Sequence, residues 1–199
     1  MPAWATAEAA TIARFRGWAP IIALQLEYSL LERTPEGELI PMAQSLGLAV
    51  MPWGPLKSGF LSGKYSSAAT GPVDTTRTQL VGAPSEADYL VIDALNAVAH
   101  EVGASPAAVA LAWVQGRPGI TSTLVGARRM DQFEDNLRAQ DVTLTGAQRA
   151  ALDEVSTPAL NFPAHNNRTL APMLQFSGAT VDGRPSIVSP MLQASEARY

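Results

Sequence analysis

The stretch Ile120–Arg138, I-T-S-T-L-V-G-A-R-R-M-D-Q-F-E-D-N-L-R, decides how this chain folds. Thr121–Val125 is rich in Thr, Leu and Val and predicts a short strand. Gly126 breaks that run, and Arg128 and Arg129 follow. Met130, Phe133 and Leu137 then recur three and four residues apart, the spacing of one apolar face of a helix. A strand that turns through glycine into a helix gathers backbone N–H groups and positive side chains, a ready site for phosphate. Asp135 and Asn136 lie about two turns further on and can hydrogen-bond a base or a ribose. From spacing alone, a plain strand-to-helix turn with ordinary surface charge accounts for the stretch equally well.

Around it lie 199 residues, 47% hydrophobic and 16% charged, a composition that suits a globular chain with a sizeable core. A net charge of −4 argues against a nucleic-acid partner or an anionic membrane surface. There is no cysteine, so disulfide and thiolate chemistry are excluded and a cytoplasmic location is expected. No apolar run approaches the ~20 residues of a membrane span, and the N-terminus lacks the pattern of a secretory signal.

Pro2–Gly17 predicts a helix, with Ala5, Ala9, Ile12 and Ala13 on helical spacing, Trp4 and Phe15 as larger anchors and Gly17 as C-cap. Ile21–Leu26 is near-continuously apolar and predicts a strand buried on both faces, in which the amide of Gln25 needs a partner. Thr34-Pro35-Glu36 reads as a helix start, and Pro41 should shift that start later or kink the helix. Leu48–Trp53 is the second strand. After it comes P-W-G-P-L-K-S-G-F-L-S-G-K-Y, a Gly- and Pro-rich loop in which Lys57 and Lys64 could offset the charge of a pyrophosphate. A purely structural connecting loop fits the same residues. Ser66–Pro84 is a long polar loop containing Arg77. Ser85 with Asp88, and Thr145 with Gln148, form capping boxes for two further helices, and Ser105-Pro106 starts another between them.

Three segments together resemble the aldo-keto reductases. G-A-R-R-M-D-Q-F-E-D-N is similar to the family's last strand-to-helix turn, which grips the adenosine 2′-phosphate and adenine of NADP. By that match Gly126 and Arg128 are phosphate contacts, Gln132 is a further cofactor contact, and Asp135 and Asn136 are the adenine pair. Asp135 is shorter than the family's Glu. The loop after the second strand resembles the segment that folds over the cofactor pyrophosphate, with Trp53, Leu56, Lys57, Ser58 and Lys64 at contact positions. Gly54 stands where the family has Ser, so only backbone can contact there. Q-L-E-Y-S-L resembles the strand whose Gln, here Gln25, meets the nicotinamide carboxamide. Arg77 lies where the family carries a phosphate-binding Arg.

The resemblance implies a (β/α)8 TIM barrel, but it covers only the second half of one, spanning nearly all of residues 2–185. A barrel closes with eight strands over ~250 residues, and three strand-helix units plus extra helices are recognisable here. Residues 186–199 match nothing and are expected to be a disordered tail. The family reduces aldehydes or ketones with NADPH, using a Tyr acid tuned by Lys and Asp and a His that orients the carbonyl, all on the first strands. Tyr28 and Tyr65 do not match the acid's motif, and His165 has no carboxylate placed as in a triad, so no catalytic residue is assigned. Three expectations follow. The chain is the NADP-binding C-terminal part of such a reductase, or a non-enzymatic module binding a nucleotide or a partner protein, or a half-barrel completed by another chain. Self-association through exposed strand edges is expected. No metal site is expected.

Overall fold

The computed structural model describes residues 1–68, 82–174, 177–181, 183–186 and 188–190. Arg77 and most of the 186–199 segment therefore lie outside the described residues. The chain divides into two units, Met1–Pro158 and Ala159–Tyr199.

In the first unit, helix α1 (Ala3–Arg16) ends where Gly17 adopts φ +64° and the Trp18 N–H donates to the Ala13 carbonyl at 2.9 Å. Trp4 and Phe15, expected as anchors, are 70% and 79% exposed; the helix buries Thr6 and Ala13 instead. Strand β1 is Ala23–Glu27, two residues later than the apolar run suggested, and Ile22 stays exposed. A single 3₁₀ turn at Thr34–Glu36 precedes α2 (Leu39–Leu46). Pro41 is the third residue of α2, where its missing N–H has no intrahelical acceptor to lose, so it moved the start rather than kinking the helix. Strand β2 (Ala49–Trp53) pairs parallel to β1, Gln25 opposite Met51 and Glu27 opposite Trp53. Ala49 and Met51 share that face, while Leu26, Val50 and Pro52 point into the core on the other.

Gln25 corrects an expectation: it is exposed, not a buried amide, because its face of the sheet carries no covering layer among the described residues. The third strand, Thr121–Val125, is corrected as well. It runs extended along the side of β2 away from β1 without forming a regular ladder. Thr121 and Ser122 N–H groups both donate to the Val50 carbonyl, at 2.9 and 3.4 Å, and Leu124 N–H donates to Pro52 at 2.8 Å. The return bonds are missing. Thr121 Oγ1 takes the Val50 N–H at 3.3 Å, and Pro52 has no N–H to give. One parallel bridge, Val50 to Ile120, is all that remains of the pairing.

Helices α3 (Glu86–Val102), α4 (Pro106–Gln115), α5 (Met130–Leu137) and α6 (Gly146–Ser156) complete the unit. Both expected capping boxes form, Ser85 with Asp88 and Thr145 with Gln148. Leu95, Leu111, Trp113 and Leu152 fill the core with Leu61 and Val50. Leu90 on α3 is exposed, as are Met130, Phe133 and Leu137 on α5. The result is an α/β unit with a small parallel sheet. The second unit holds α7 (Ala164–Thr169), α8 (Ala171–Leu174) and an antiparallel pair, β3 (Thr180–Val181) with β4 (Arg184–Pro185).

Candidate functional site

A cavity of about 560 Å³ opens between the loop after β2, the 124–126 segment and α5. The loop leaves the strand at Gly54, with φ +63°, and turns through Lys57 and Ser58, both with positive φ. Left-handed backbone in non-glycine residues is disfavoured by ~1–2 kcal/mol each, and such strain gathers where a loop must present its backbone to a ligand. The loop is held against α4 at Gly63, where a Cβ would meet Pro106 Cγ at 2.9 Å.

Gly54, Leu56, Ser58 and Lys64 line the cavity from the loop. Gly126, Gln132, Asp135 and Asn136 line it from the other side, so these predicted site residues are brought together. Trp53, Lys57, Gln25 and Arg128 are not among the lining residues described. Trp53 and Gln25 stand on the open sheet face. Lys57 turns back, its Nζ 2.7 Å from Glu27 Oε1 and 3.7 Å from Glu32 Oε2. Arg128 is exposed one residue away, and its N–H donates to Gln132 Oε1 at 3.1 Å.

Arg129, read in the sequence as a charge at the turn, lines the cavity, and sequence reasoning missed Asp131, Glu134 and Arg138. A helical signal for them exists, since Asp131, Asp135 and Arg138 fall at i, i+4 and i+7, opposite the Met130, Phe133, Leu137 stripe. It also missed Ser105. As N-cap of α4 its Oγ accepts from Ala108 N–H at 3.0 Å while donating to Asp135 Oδ2 at 2.6 Å. Asp135 is thereby fixed from a different helix, and Asn136 beside it is buried. Arg129 makes a two-pronged pair with Asp131, both contacts 2.9 Å. That hydrogen bond holds the Asp131 carboxyl below its ordinary value. Lys64 lines the cavity from the loop, and Arg129, Asp131, Glu134, Asp135 and Arg138 line it from the α5 side. Its volume, its amide and carboxylate side by side and its three cations suit the adenosine and phosphate end of a nucleotide.

A second titratable cluster lies in the core, apart from the cavity. Tyr28 is fully buried, stacks on Trp113 with ring centroids 5.8 Å apart, and donates from Oη to Glu36 Oε1 at 2.6 Å. Burial first, and then the Glu36 carboxylate, push its phenol well above the ordinary range. It cannot act as a proton donor to a ligand. Arg33 and Arg117 each place Cζ 4.9 Å from the Trp113 ring centre and bridge Glu36 to Asp153. This cluster ties the segment after β1 to α4 and α6. Tyr65 is buried edge-on against Phe60. Among the described residues no helix is long and apolar enough to cross a membrane, and no group of His, Asp and Glu is placed to hold a metal.

Residues 3–157 match the sequence model of the aldo/keto reductase family. An uncharacterized oxidoreductase of Bacillus subtilis is 35% identical over 141 residues, which cover 71% of this chain and 42% of that protein. Versiconal hemiacetal acetate reductase of Aspergillus parasiticus is 31% identical over 166 residues, 82% of this chain and 48% of its own. A Schizosaccharomyces pombe protein bearing the name of a voltage-gated potassium channel subunit beta is 33% identical over 150 residues, 71% of this chain and 42% of its own. The chain spans less than half the length of each of these relatives.

Proposed function

The chain belongs to the aldo/keto reductase family, and on that premise we propose that it is the cofactor-binding portion of an NADPH-dependent carbonyl reductase. The observation that carries this is the cavity between the loop after β2 and α5, where the loop residues Gly54, Leu56, Ser58 and Lys64 meet Gly126, Gln132, Asp135 and Asn136. These come from segments about 70 residues apart that matched the family motif independently. When bound, the reduced nicotinamide supplies the hydride that turns an aldehyde or ketone into an alcohol. This chain's residues hold and orient. Asp135 and Asn136 would hold the adenine, Arg128 with Arg129 beside it would pair with the 2′-phosphate, Lys64 and the loop backbone would meet the pyrophosphate, and Gln25 would hydrogen-bond the nicotinamide. Arg77, outside the described residues, joins the set only by its position in the sequence, where a solvated surface arginine fits equally well.

The three parallel segments β1, β2 and 120–124 form the C-terminal part of a TIM barrel in this proposal, and the tetrad of Tyr, Lys, Asp and His is supplied by the part of the barrel that precedes them. A cytoplasmic reductase acting on a small aldehyde or ketone results. The test is equilibrium dialysis of NADPH against the chain and against Asn136→Leu. Weak saturable binding lost in the variant is expected; equal uptake by both would place the nucleotide elsewhere. A second reading, a non-enzymatic nucleotide- or partner-binding module, is favoured by the relative named as a channel subunit and by the burial of Tyr28. The two part on turnover once the preceding half of a barrel is restored.

A further inference from the structure

Two donors of the turn before α5 are already in use within the chain. Gln132 Oε1 accepts the Arg128 N–H at 3.1 Å. The Arg129 guanidinium meets the Asp131 carboxylate by two parallel contacts, Nε to Oδ1 and Nη2 to Oδ2, each 2.9 Å. That is the geometry in which a guanidinium takes a phosphate. Arg129 and Asp131 both line the cavity, and their side chains are 63% and 66% exposed, so water and ligand reach the pair and it parts readily. Asp131 also sits in the first turn of α5, where the helix N-terminus favours an anion. Two acidic neighbours, Glu134 and Asp135, line the same wall.

We propose that Asp131 sets how strongly this pocket prefers a nucleotide bearing a 2′-phosphate, by occupying Arg129 in that phosphate's place. The proposal rests on the cofactor-binding reading above and names the residue that tunes it. A 2′-phosphate that takes Arg129 leaves the Asp131 carboxylate unpaired within a few ångströms of a dianion, and this repulsion offsets much of what the guanidinium gains. A nucleotide with a free 2′-hydroxyl leaves the pair intact. The share of the discrimination that Arg129 supplies is therefore shallow in the natural sequence and grows when the carboxylate is neutralised.

The test compares adenosine 2′,5′-bisphosphate with adenosine 5′-monophosphate, which differ only in the 2′-phosphate, by equilibrium dialysis against the 199-residue chain at low salt. Asp131→Asn is expected to tighten the bisphosphate about fivefold relative to the monophosphate, and the gain should shrink at about 1 M salt, where screening reaches ~3 Å. Arg129→Gln added to Asp131→Asn should remove the gain. Equal tightening of both nucleotides, or none, overturns the proposal while leaving the cavity as a nucleotide site. Failure of both nucleotides to bind any of the proteins overturns the cofactor reading, and this inference with it. Each substitution is on an exposed side chain, so loss of fold does not enter.

Discussion

Lys57 Nζ lies 2.7 Å from Glu27 Oε1, at the end of β1, and 3.7 Å from Glu32 Oε2. The lysine that the loop's composition offered to a pyrophosphate is thus committed to two carboxylates of its own chain. Lys64, seven residues on, is exposed and lines the cavity. Replacing Lys57 by Met should therefore change NADPH affinity less than threefold, while Lys64→Met should weaken it by about 1.5 kcal/mol, the lower range for a hydrogen bond to a charged group. Dialysis of both variants decides it, and the reverse order would mean that Lys57 leaves Glu27 when nucleotide arrives.

The two arginines of the turn divide the next expectation. Arg128 holds the family's phosphate position in sequence, and Arg129 lines the cavity. If Arg128 swings in to grip the 2′-phosphate, Arg128→Ala weakens NADPH by ~1.5–3 kcal/mol and leaves NADH nearly unchanged. Equal weakening of both dinucleotides would sink that assignment of Arg128.

The helices were legible because their signals are local. Capping residues and apolar spacing act within one or two turns, so Ser85 with Asp88 and Thr145 with Gln148 formed as read. What the sequence hid depends on neighbours. The apolar run at Ile21–Leu26 suggested a strand covered on both faces, but covering is decided by other elements, and the face with Gln25 has none described. The ladder at Thr121–Val125 failed through Pro52 and a threonine hydroxyl, a pairing defect visible only once the register with β2 is known. At the site, motif spacing found Asp135 but not Ser105, whose hydroxyl fixes it across 30 residues of chain.

The core cluster makes stability sensitive to acid. Burial alone would raise the Glu36 carboxyl, but the Arg33 and Tyr28 hydrogen bonds and the charges of Arg33 and Arg117 outweigh it and hold it below its ordinary 4.5. A carboxyl lowered on folding contributes stability in full above that value, and the contribution is lost as pH falls through the lowered one. The Tm should stay level from pH 7 to 5 and drop below about pH 4.5. Glu36→Gln should lose about 1.5–3 kcal/mol at pH 7, since it removes the charged partner of Arg33 and Tyr28 while Asp153 still pairs Arg33, and should show a shallower acid limb. A variant whose acid limb matches the parent's would assign that limb to other carboxylates.

Apolar surface governs behaviour in solution. Trp4, Phe15, Trp18 and Ile22 are each more than 60% exposed around α1, and Met130, Phe133 and Leu137 form an exposed stripe on α5. The outer sides of β1 and of the 120–124 segment carry no strand among the described residues. Such patches and edges recruit other chains. Light scattering should find oligomers or aggregate, and Phe15→Glu with Trp18→Glu should reduce them. A monomer with one sharp cooperative melt would contradict the half-barrel proposal.

Turnover is the hardest test of the proposed function. Carbonyl reduction needs a proton delivered to the oxygen as the carbon is reduced, and general acid catalysis alone supplies about 10²–10⁴-fold. Tyr28 cannot give it: its hydroxyl is fully buried, donates to Glu36, and is held protonated far above neutral pH. Tyr65 lies buried against Phe60 and is not among the cavity's lining residues. If Gln25 meets the nicotinamide, its exposure leaves that end in water, so positioning is lost as well, a larger effect still. With an aromatic aldehyde, NADPH oxidation by this chain should equal the blank without protein, though the adenosine end still binds weakly. Joining a preceding half-barrel that carries the Tyr, Lys, Asp and His should bring turnover above that blank. Turnover by the chain alone, abolished by Tyr28→Phe or Tyr65→Phe, would show that the acid lies within it after all. No turnover even after the joining, with nucleotide still bound, would favour the non-enzymatic module instead.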